Sequence, residues 1–427
     1  MTASFDHDVA IVGAGPAGIG TAVALGHLDV DCTILERDCI GASFRQWPDE
    51  MRLLTPSFPA TAFGERDLNA ITPDTSPALA LDCEHPTGNQ YANYLEAVAE
   101  FHELEIETGV DVDSVESTNG GFTLETADSP HHARYVIWAA GQFQYPSDGS
   151  IPGASHAVHS SAIDSWDRHV DLVRDDSSGH SIDESTPVPA DSEADRQQTA
   201  ADGAGTVVRS ADVSAPEADD AVVVGGAESG IDAAIELADR GCSVTVVDED
   251  GTWQFRSPDP SEVLAPRTNE RLAAALENDA PIDLLAGARV DRIDPARDPD
   301  DGDASEGYDV VMTTGDRLTS RTPPILATGF EGSLTLVDEL FAFDDGVPAL
   351  TDRDESTETP GLFLVGPQVA HNGQQFCFIY KYRQRFAVVA ETIGDRLGVD
   401  TEPLDAYREK RMYLDDLDCC EPDYCDC

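Results

Sequence analysis

The apolar positions of this chain write one motif twice. From Phe5 to Val12 they build a predicted strand, Gly13-Ala14-Gly15-Pro16-Ala17-Gly18 follows at once, and a helix is expected to about Leu28. A second apolar run, Val30 to Leu35, ends at Glu36. The order returns at Ala221 to Val224, then Gly225-Gly226-Ala227-Glu228-Ser229-Gly230, a helix to about Arg240, and a strand from Ser243 to Val247 ending at Asp248. Short apolar runs on either side of a glycine turn and an amphipathic stretch predict two βαβ units. Later runs at 309–313, 325–330 and 361–366 read as strands, and 378–397 reads as a helix.

Between the units the texture changes. Residues 167–220 are rich in Asp, Glu, Ser, Ala and Pro and offer too little apolar surface to offset their ordering entropy, so they read as a disordered acidic insertion. Asp294 to Gly307 reads as a smaller acidic loop. The expected fold is α/β, with two Rossmann-like dinucleotide-binding domains. The second is inserted in a discontinuous first: 1–166 and 321–413 form one, 221–320 the other, and 414–427 a cysteine-rich tail.

Charge changes the picture of partners. The chain has 26 Lys+Arg against 82 Asp+Glu, a formal net charge of −56. That field repels phosphate backbones and anionic lipid, so a small-molecule substrate is expected, not nucleic acid or a membrane. The self-repulsion would be relieved in molar salt, and in this the composition resembles haloarchaeal proteins. No apolar run approaches the roughly 18 residues of a membrane span, and the acidic start does not read as a signal peptide. A cytoplasmic location follows as an expectation.

The glycine turns carry the chemistry. Gly13 permits the tight turn, Gly15 lets backbone N–H groups approach a pyrophosphate, and Gly18 lets helix and strand pack closely. The helix N-terminus favours the phosphates, and Glu36, 23 residues after Gly13, is placed for ribose hydroxyls. In the second unit Ala227 replaces the middle glycine, while Gly225, Gly230 and Asp248 remain.

Beyond the turns, short stretches recur in a telling order. They include Gly41-Ala42-Ser43-Phe44-Arg45-Gln46-Trp47, Met51 to Pro56, His85-Pro86 before Tyr94-Leu95, and Ala139 to Phe143. Ile151-Pro152-Gly153 with His159-Ser160, Thr252-Trp253, Ala327 to Phe330, and Gly361 to Gln368 complete the set. In these the chain resembles the flavin-monooxygenase-like (CzcO-like) branch of the two-dinucleotide-binding flavoproteins. That resemblance implies FAD at the first turn and NAD(P)H at the second. The implied FAD residues are Gly13, Gly15, Pro16, Ala17, Gly18, Glu36, Arg37, Ser43, Trp47, Gly141, Gly366 and Gln374. The implied nicotinamide-dinucleotide residues are Gly225, Gly226, Glu228, Ser229, Gly230, Asp248 and Gly329. Asp248-Glu249-Asp250 stands where NADPH-binding relatives carry a basic residue, so NADH is the expected donor.

Departures narrow the chemistry. The stretch after the first unit, Gly41 to Trp47, holds no CxxxxC pair and the chain holds no CxxC pair, which argues against a flavin-adjacent dithiol relay. The Baeyer–Villiger pattern is unmet, since Gly153 lies six residues before His159 and Trp166 seven after it. Trp47, Arg52 and Gln142 read either as flavin-facing or as ordinary packing. His371 and Asn372 read as flavin-edge or substrate contacts, or as a loop and cap before a helix expected to begin near Gln374 to Phe378 with its N-terminus toward the flavin. Cys419, Cys420, Cys425 and Cys427 crowd the last nine positions and read as an incidental tail, a soft-metal site or a redox dithiol. The leading expectation is an FAD-dependent NAD(P)H oxidoreductase passing electrons to O2 or a small acceptor. A thiol, disulfide or soft-metal reductase using the tail is the second reading, and a non-enzymatic redox-sensing or metal-binding flavoprotein the third.

Overall fold

A computed structural model describes residues 5–58, 67–118, 120–176, 220–253, 262–297 and 304–420. Its first sheet has seven strands. In spatial order they are Ile106–Thr108, Cys32–Glu36, His7–Val12, His131–Trp138, Gly121–Thr126 and Val112–Thr118, with Leu362–Leu364 also pairing with His131–Trp138. His7–Val12 lies parallel to both neighbours, with Ile11 opposite Ile34 on one side and Ile137 on the other. Val9, Ala10 and Ile11 are almost wholly inaccessible, as expected of a parallel strand covered on both faces.

The second sheet is wholly parallel, in the order Ile282–Ala286, Val244–Asp248, Ala221–Val224, Ile325–Leu326 and Val158–His159. Helix Pro16–Gly26 follows the first strand of one unit, and helix Glu228–Asp239 the first strand of the other. Pro16 occupies the opening turn of its helix, where a missing N–H costs nothing. Gly20 brings this helix against Phe386 of helix Phe386–Leu397, because a β-carbon there would lie 2.2 Å from the Phe386 ring. Both βαβ units thus form where the apolar pattern placed them.

Three expectations change. Residues 167–176 belong to helix Trp166–Asp176, whose Trp166 and Val170 are buried in the second unit's core. Two apolar residues at i and i+4 sufficed to dock an acidic helix. The rest of the expected disordered insertion, 177–219, lies outside the described residues. Of the acidic loop expected at Asp294 to Gly307, the described ends belong to strands Val290–Arg297 and Ala304–Met312, which pair antiparallel with Ile293 opposite Val310, and 298–303 lie outside the described residues. Asp291 is exposed and Asp294 partly so, while Val290, Ile293 and Ala296 are buried. Finally, the second sheet draws Val158–His159 and Ile325–Leu326 from stretches assigned to the first domain. Two-residue strands carry no periodicity for a sequence reading to detect.

The units are tied by charge. Arg240, just after helix Glu228–Asp239, donates to Glu50 of the first unit at 3.1 Å, to Asp167 at 2.6 Å and to Glu236 at 2.8 Å. Glu50 also accepts from the Trp166 backbone N–H at 3.2 Å. Among the described residues no helix is long and apolar enough to cross a membrane.

Candidate active site

Both glycine turns use the same close packing. A β-carbon on Gly13 would lie 2.7 Å from the Ala139 carbonyl oxygen, and one on Gly18 only 2.0 Å from the Gly13 oxygen. In the second turn a β-carbon on Gly225 would lie 2.4 Å from the Ala327 oxygen, and one on Gly230 1.9 Å from the Gly225 oxygen. Gly15 differs: a β-carbon there meets nothing within 4 Å. It faces open space, as a residue approached by a ligand must.

The terminal acids are fixed in parallel ways. Glu36 accepts the Ala14 N–H at 2.6 Å and the Asp38 N–H at 2.9 Å. Asp248 accepts the Gly226 N–H at 2.7 Å, the Gly251 N–H at 2.7 Å and the Asp250 N–H at 3.0 Å. Each carboxylate keeps lone pairs for a hydroxyl donor. Trp253 adds a lid to the second turn, its indole N–H donating to the Gly226 carbonyl at 2.8 Å.

Between the units lies a cavity of about 430 Å³, within the range of small-molecule sites. Gly13, Gly15, Pro16, Ala17, Glu36 and Arg37 line it from the first turn and strand. Ser43, Trp47, Arg52, Gly141 and Gln142 line it as well. Glu228 and Ser229 bring the start of the second dinucleotide helix into the same space. The open cradle at Gly15 and the anchored Glu36 suit a flavin dinucleotide, and the nearby second helix suits a nicotinamide partner.

Other expected residues lie outside the cavity wall. Gly18, Gly225 and Gly230 act as packing glycines. Gly226 and Asp248 form the second turn's internal bonds, and the Gly329 carbonyl oxygen lies 3.1 Å from His159 Nε2. Gly366 packs against Ala17, leaving Pro367 to reach the cavity. Gln374 sits in a hairpin, not at a helix start: Ala370–His371 pairs with Gln374–Gln375, and the helix begins at Ile379. His371 is buried with its Nε2 2.5 Å from Asp354, and Asn372 donates to the Leu417 carbonyl at 3.0 Å. Neither His371 nor Asn372 lines the cavity. The hairpin carries them away because Asn372 and Gly373 both have positive φ, 50° and 80°, the signature of a tight type I′ turn.

What the hairpin delivers instead is Cys377. It lines the cavity with Phe378, Ile379 and Tyr382, and among the described residues it is the one cysteine in that wall. Burial, with the Cys377 thiol alongside, pushes the Tyr382 phenol well up, so it stays protonated. Arg267 and Arg271 enter from helix Pro266–Glu277, also unforeseen. Glu228 links that helix to the second turn, accepting from the Thr268 hydroxyl at 2.5 Å and from the Ala265 N–H. Burial pushes the Glu228 carboxyl upward, against those two bonds. Cys425 and Cys427, and the side chains of Cys419 and Cys420, lie outside the described residues. Among the described residues no group of three or more His, Cys, Asp or Glu is placed to hold a metal ion.

Comparison with known proteins bears on this site. The chain matches the pyridine nucleotide-disulphide oxidoreductase family over residues 10–172 and 198–366. It is 22% identical over 392 residues to bacilliredoxin reductase Bdr of Bacillus subtilis (strain 168), covering 90% of this chain and 97% of that protein. The solved bacillithiol disulfide reductase Bdr (YpdA) from Staphylococcus aureus matches with a TM-score of 0.66 at 17% identity, covering 92% of this chain and 99% of that one. A flavin-containing monooxygenase from Stenotrophomonas maltophilia matches with a TM-score of 0.60 at 13% identity, covering 92% and 100%. At these identities the solved structures speak to fold. The resemblance read from the sequence therefore holds for the flavoprotein fold, which the monooxygenase shares, while the family match is to disulphide oxidoreductases. With a glycine turn opening each unit and most of its length matched, the chain belongs to the pyridine nucleotide-disulphide oxidoreductase family and is an FAD- and NAD(P)H-dependent oxidoreductase.

Proposed function

We propose that the protein reduces low-molecular-weight disulfides, with NADH as its preferred donor. The observation that carries this reading is the company Cys377 keeps: Gly15 of the first turn and Ser229 of the second line the same cavity. In this reading the Cys377 thiolate attacks one sulfur of a bound disulfide, forming a mixed disulfide and releasing the first thiolate. A flavin held at Gly15 and Glu36 would supply, from the nicotinamide's hydride, the two electrons that return Cys377 to a thiol and release the second product. The sum is NAD(P)H, a proton and one disulfide giving NAD(P)+ and two thiols.

Replacing Cys377 by serine tests this directly. Disulfide turnover is expected to fall at least about a hundredfold, while NADH still bleaches the flavin. Replacing Cys419, Cys420, Cys425 and Cys427 together by serine is expected to preserve turnover. The opposite pattern would move the chemistry to the tail.

Donor preference rests on the end of strand Val244–Asp248. Glu249 and Asp250 follow Asp248, and Arg289, the cation beside Glu249 at 3.8 Å, is held there. A 2′-phosphate would meet like charge, so kcat/KM is expected to favour NADH by about tenfold or more, and Glu249→Arg to narrow that ratio. Steady-state rates with both donors check this; a wild-type preference for NADPH removes it.

A further inference from the structure

We propose that Arg52 and Arg267 form an anion-recognition site in the cavity, and that the disulfide it takes carries carboxylates. This rests on the disulfide reading above and adds the substrate's charge to it.

In a chain with 82 acids and 26 Lys+Arg, a cation would be expected to find an acidic partner almost anywhere. Arg271 does: it contacts Asp232, and reaches Glu236 at 2.6 Å. The two other guanidiniums have no acidic partner among the described residues. There Arg52 donates only to the backbone carbonyls of Asp49 at 2.9 Å and Met51 at 3.2 Å. Arg267 makes no hydrogen bond or ion pair among the described residues, yet it is partly buried and lines the cavity.

Their placement fits one ligand. Arg52 comes from the first unit and Arg267 from the opening turn of helix Pro266–Glu277 in the second. Arg267 and Arg271 stand four residues apart on one helix face. Burial, followed by the charge of Arg271 and, more weakly, that of Arg52, pulls the Arg267 guanidinium below its usual range, outweighing Asp232 and Glu84. Cations crowded this way are relieved by a bound anion. A planar guanidinium pairs with a carboxylate through two parallel hydrogen bonds, a contact that a neutral disulfide cannot make.

Holoenzyme kinetics with two chromogenic disulfides test the inference at fixed ionic strength: the dianion 5,5′-dithiobis(2-nitrobenzoate) and neutral 4,4′-dithiodipyridine. The ratio of kcat/KM for the dianion to that for the neutral compound is expected to fall about tenfold or more in Arg52→Gln and Arg267→Gln, chiefly through KM. Arg267→Lys should retain most of the ratio. An unchanged ratio overturns the proposal. So does a rise in KM for the nicotinamide donor with both acceptors, which would assign the guanidiniums to its pyrophosphate. If neither disulfide is turned over although NADH reduces the flavin, the disulfide reading fails. The anion site is then judged by titrating isophthalate, an unreactive dianion, against flavin absorbance. A saturable shift lost in the double Gln variant keeps the site, and no shift overturns it.

Discussion

Gly18→Ala is expected to purify almost without flavin. Its new β-carbon would lie 2.0 Å from the Gly13 carbonyl oxygen, and that atom cannot retreat, because Gly13 itself packs on Ala139. The helix must withdraw from the turn, and its N–H groups leave the position where a pyrophosphate would accept from them. Overpacking of this kind costs about 1–3 kcal/mol of stability, and the lost contacts should lower flavin occupancy at least tenfold. Gly15→Ala separates the two effects. Its methyl meets no protein atom within 4 Å, so the apo fold should be unharmed while the flavin is excluded from the space the methyl takes. Absorbance at the flavin band with urea unfolding of apo protein reads both. Equal stability loss in the two variants would contradict this division. Gly230→Ala, whose β-carbon would lie 1.9 Å from the Gly225 oxygen, should leave the flavin in place and slow its reduction by NADH.

The second large effect is expected at Asp354. Its carboxylate is completely inaccessible and receives Arg385 through Nε at 2.8 Å and Nη2 at 3.0 Å, with His371 Nε2 at 2.5 Å from the same group. Arg385 is equally buried and also donates to the backbone carbonyls of Asp352 at 2.6 Å and of Leu414. Asp354→Ala leaves that guanidinium charged without its counter-ion, a change worth about 3–5 kcal/mol. It also places a β-carbon residue without a local acceptor at φ 62°, a conformation that asparagine tolerates better. Asp354→Asn should therefore lose clearly less. Urea midpoints of the two variants check the order, and a near wild-type midpoint for Asp354→Ala would refute it. Because Arg385 and Asn372 hold the carbonyls of Leu414 and Leu417, the alanine variant should also loosen the chain leading to the last cysteines.

The parts of the site that sequence made legible are those encoded within a few residues. The strand, glycine turn and terminal acid of each unit are contiguous, and each glycine's role follows from its place in the turn. Trp47, Arg52 and Gln142 fall in the short stretches that carry the family resemblance and do line the cavity. Cys377 and Arg267 arrive from distant segments, and nothing local marks them as cavity residues. For His371 and Asn372 the loop reading holds, and Gln374 sits in a hairpin rather than at the expected helix start, a turn that Asn372-Gly373 spells locally. Acidic composition also hid structure: in strand Val290–Arg297 two register shifts space the buried residues three apart, so the alternation that marks a strand is lost among its acids.

The central claim is that electrons from NADH leave the flavin for a disulfide. Stopped-flow absorbance of holoprotein reduced anaerobically with one equivalent of NADH, then mixed with 5,5′-dithiobis(2-nitrobenzoate), tests it most directly. The account predicts rapid flavin reoxidation with two thiolates released per NADH, and loss of that phase in Cys377→Ser. Flavin that stays reduced in the presence of the disulfide and reoxidises only when O2 is admitted would contradict it.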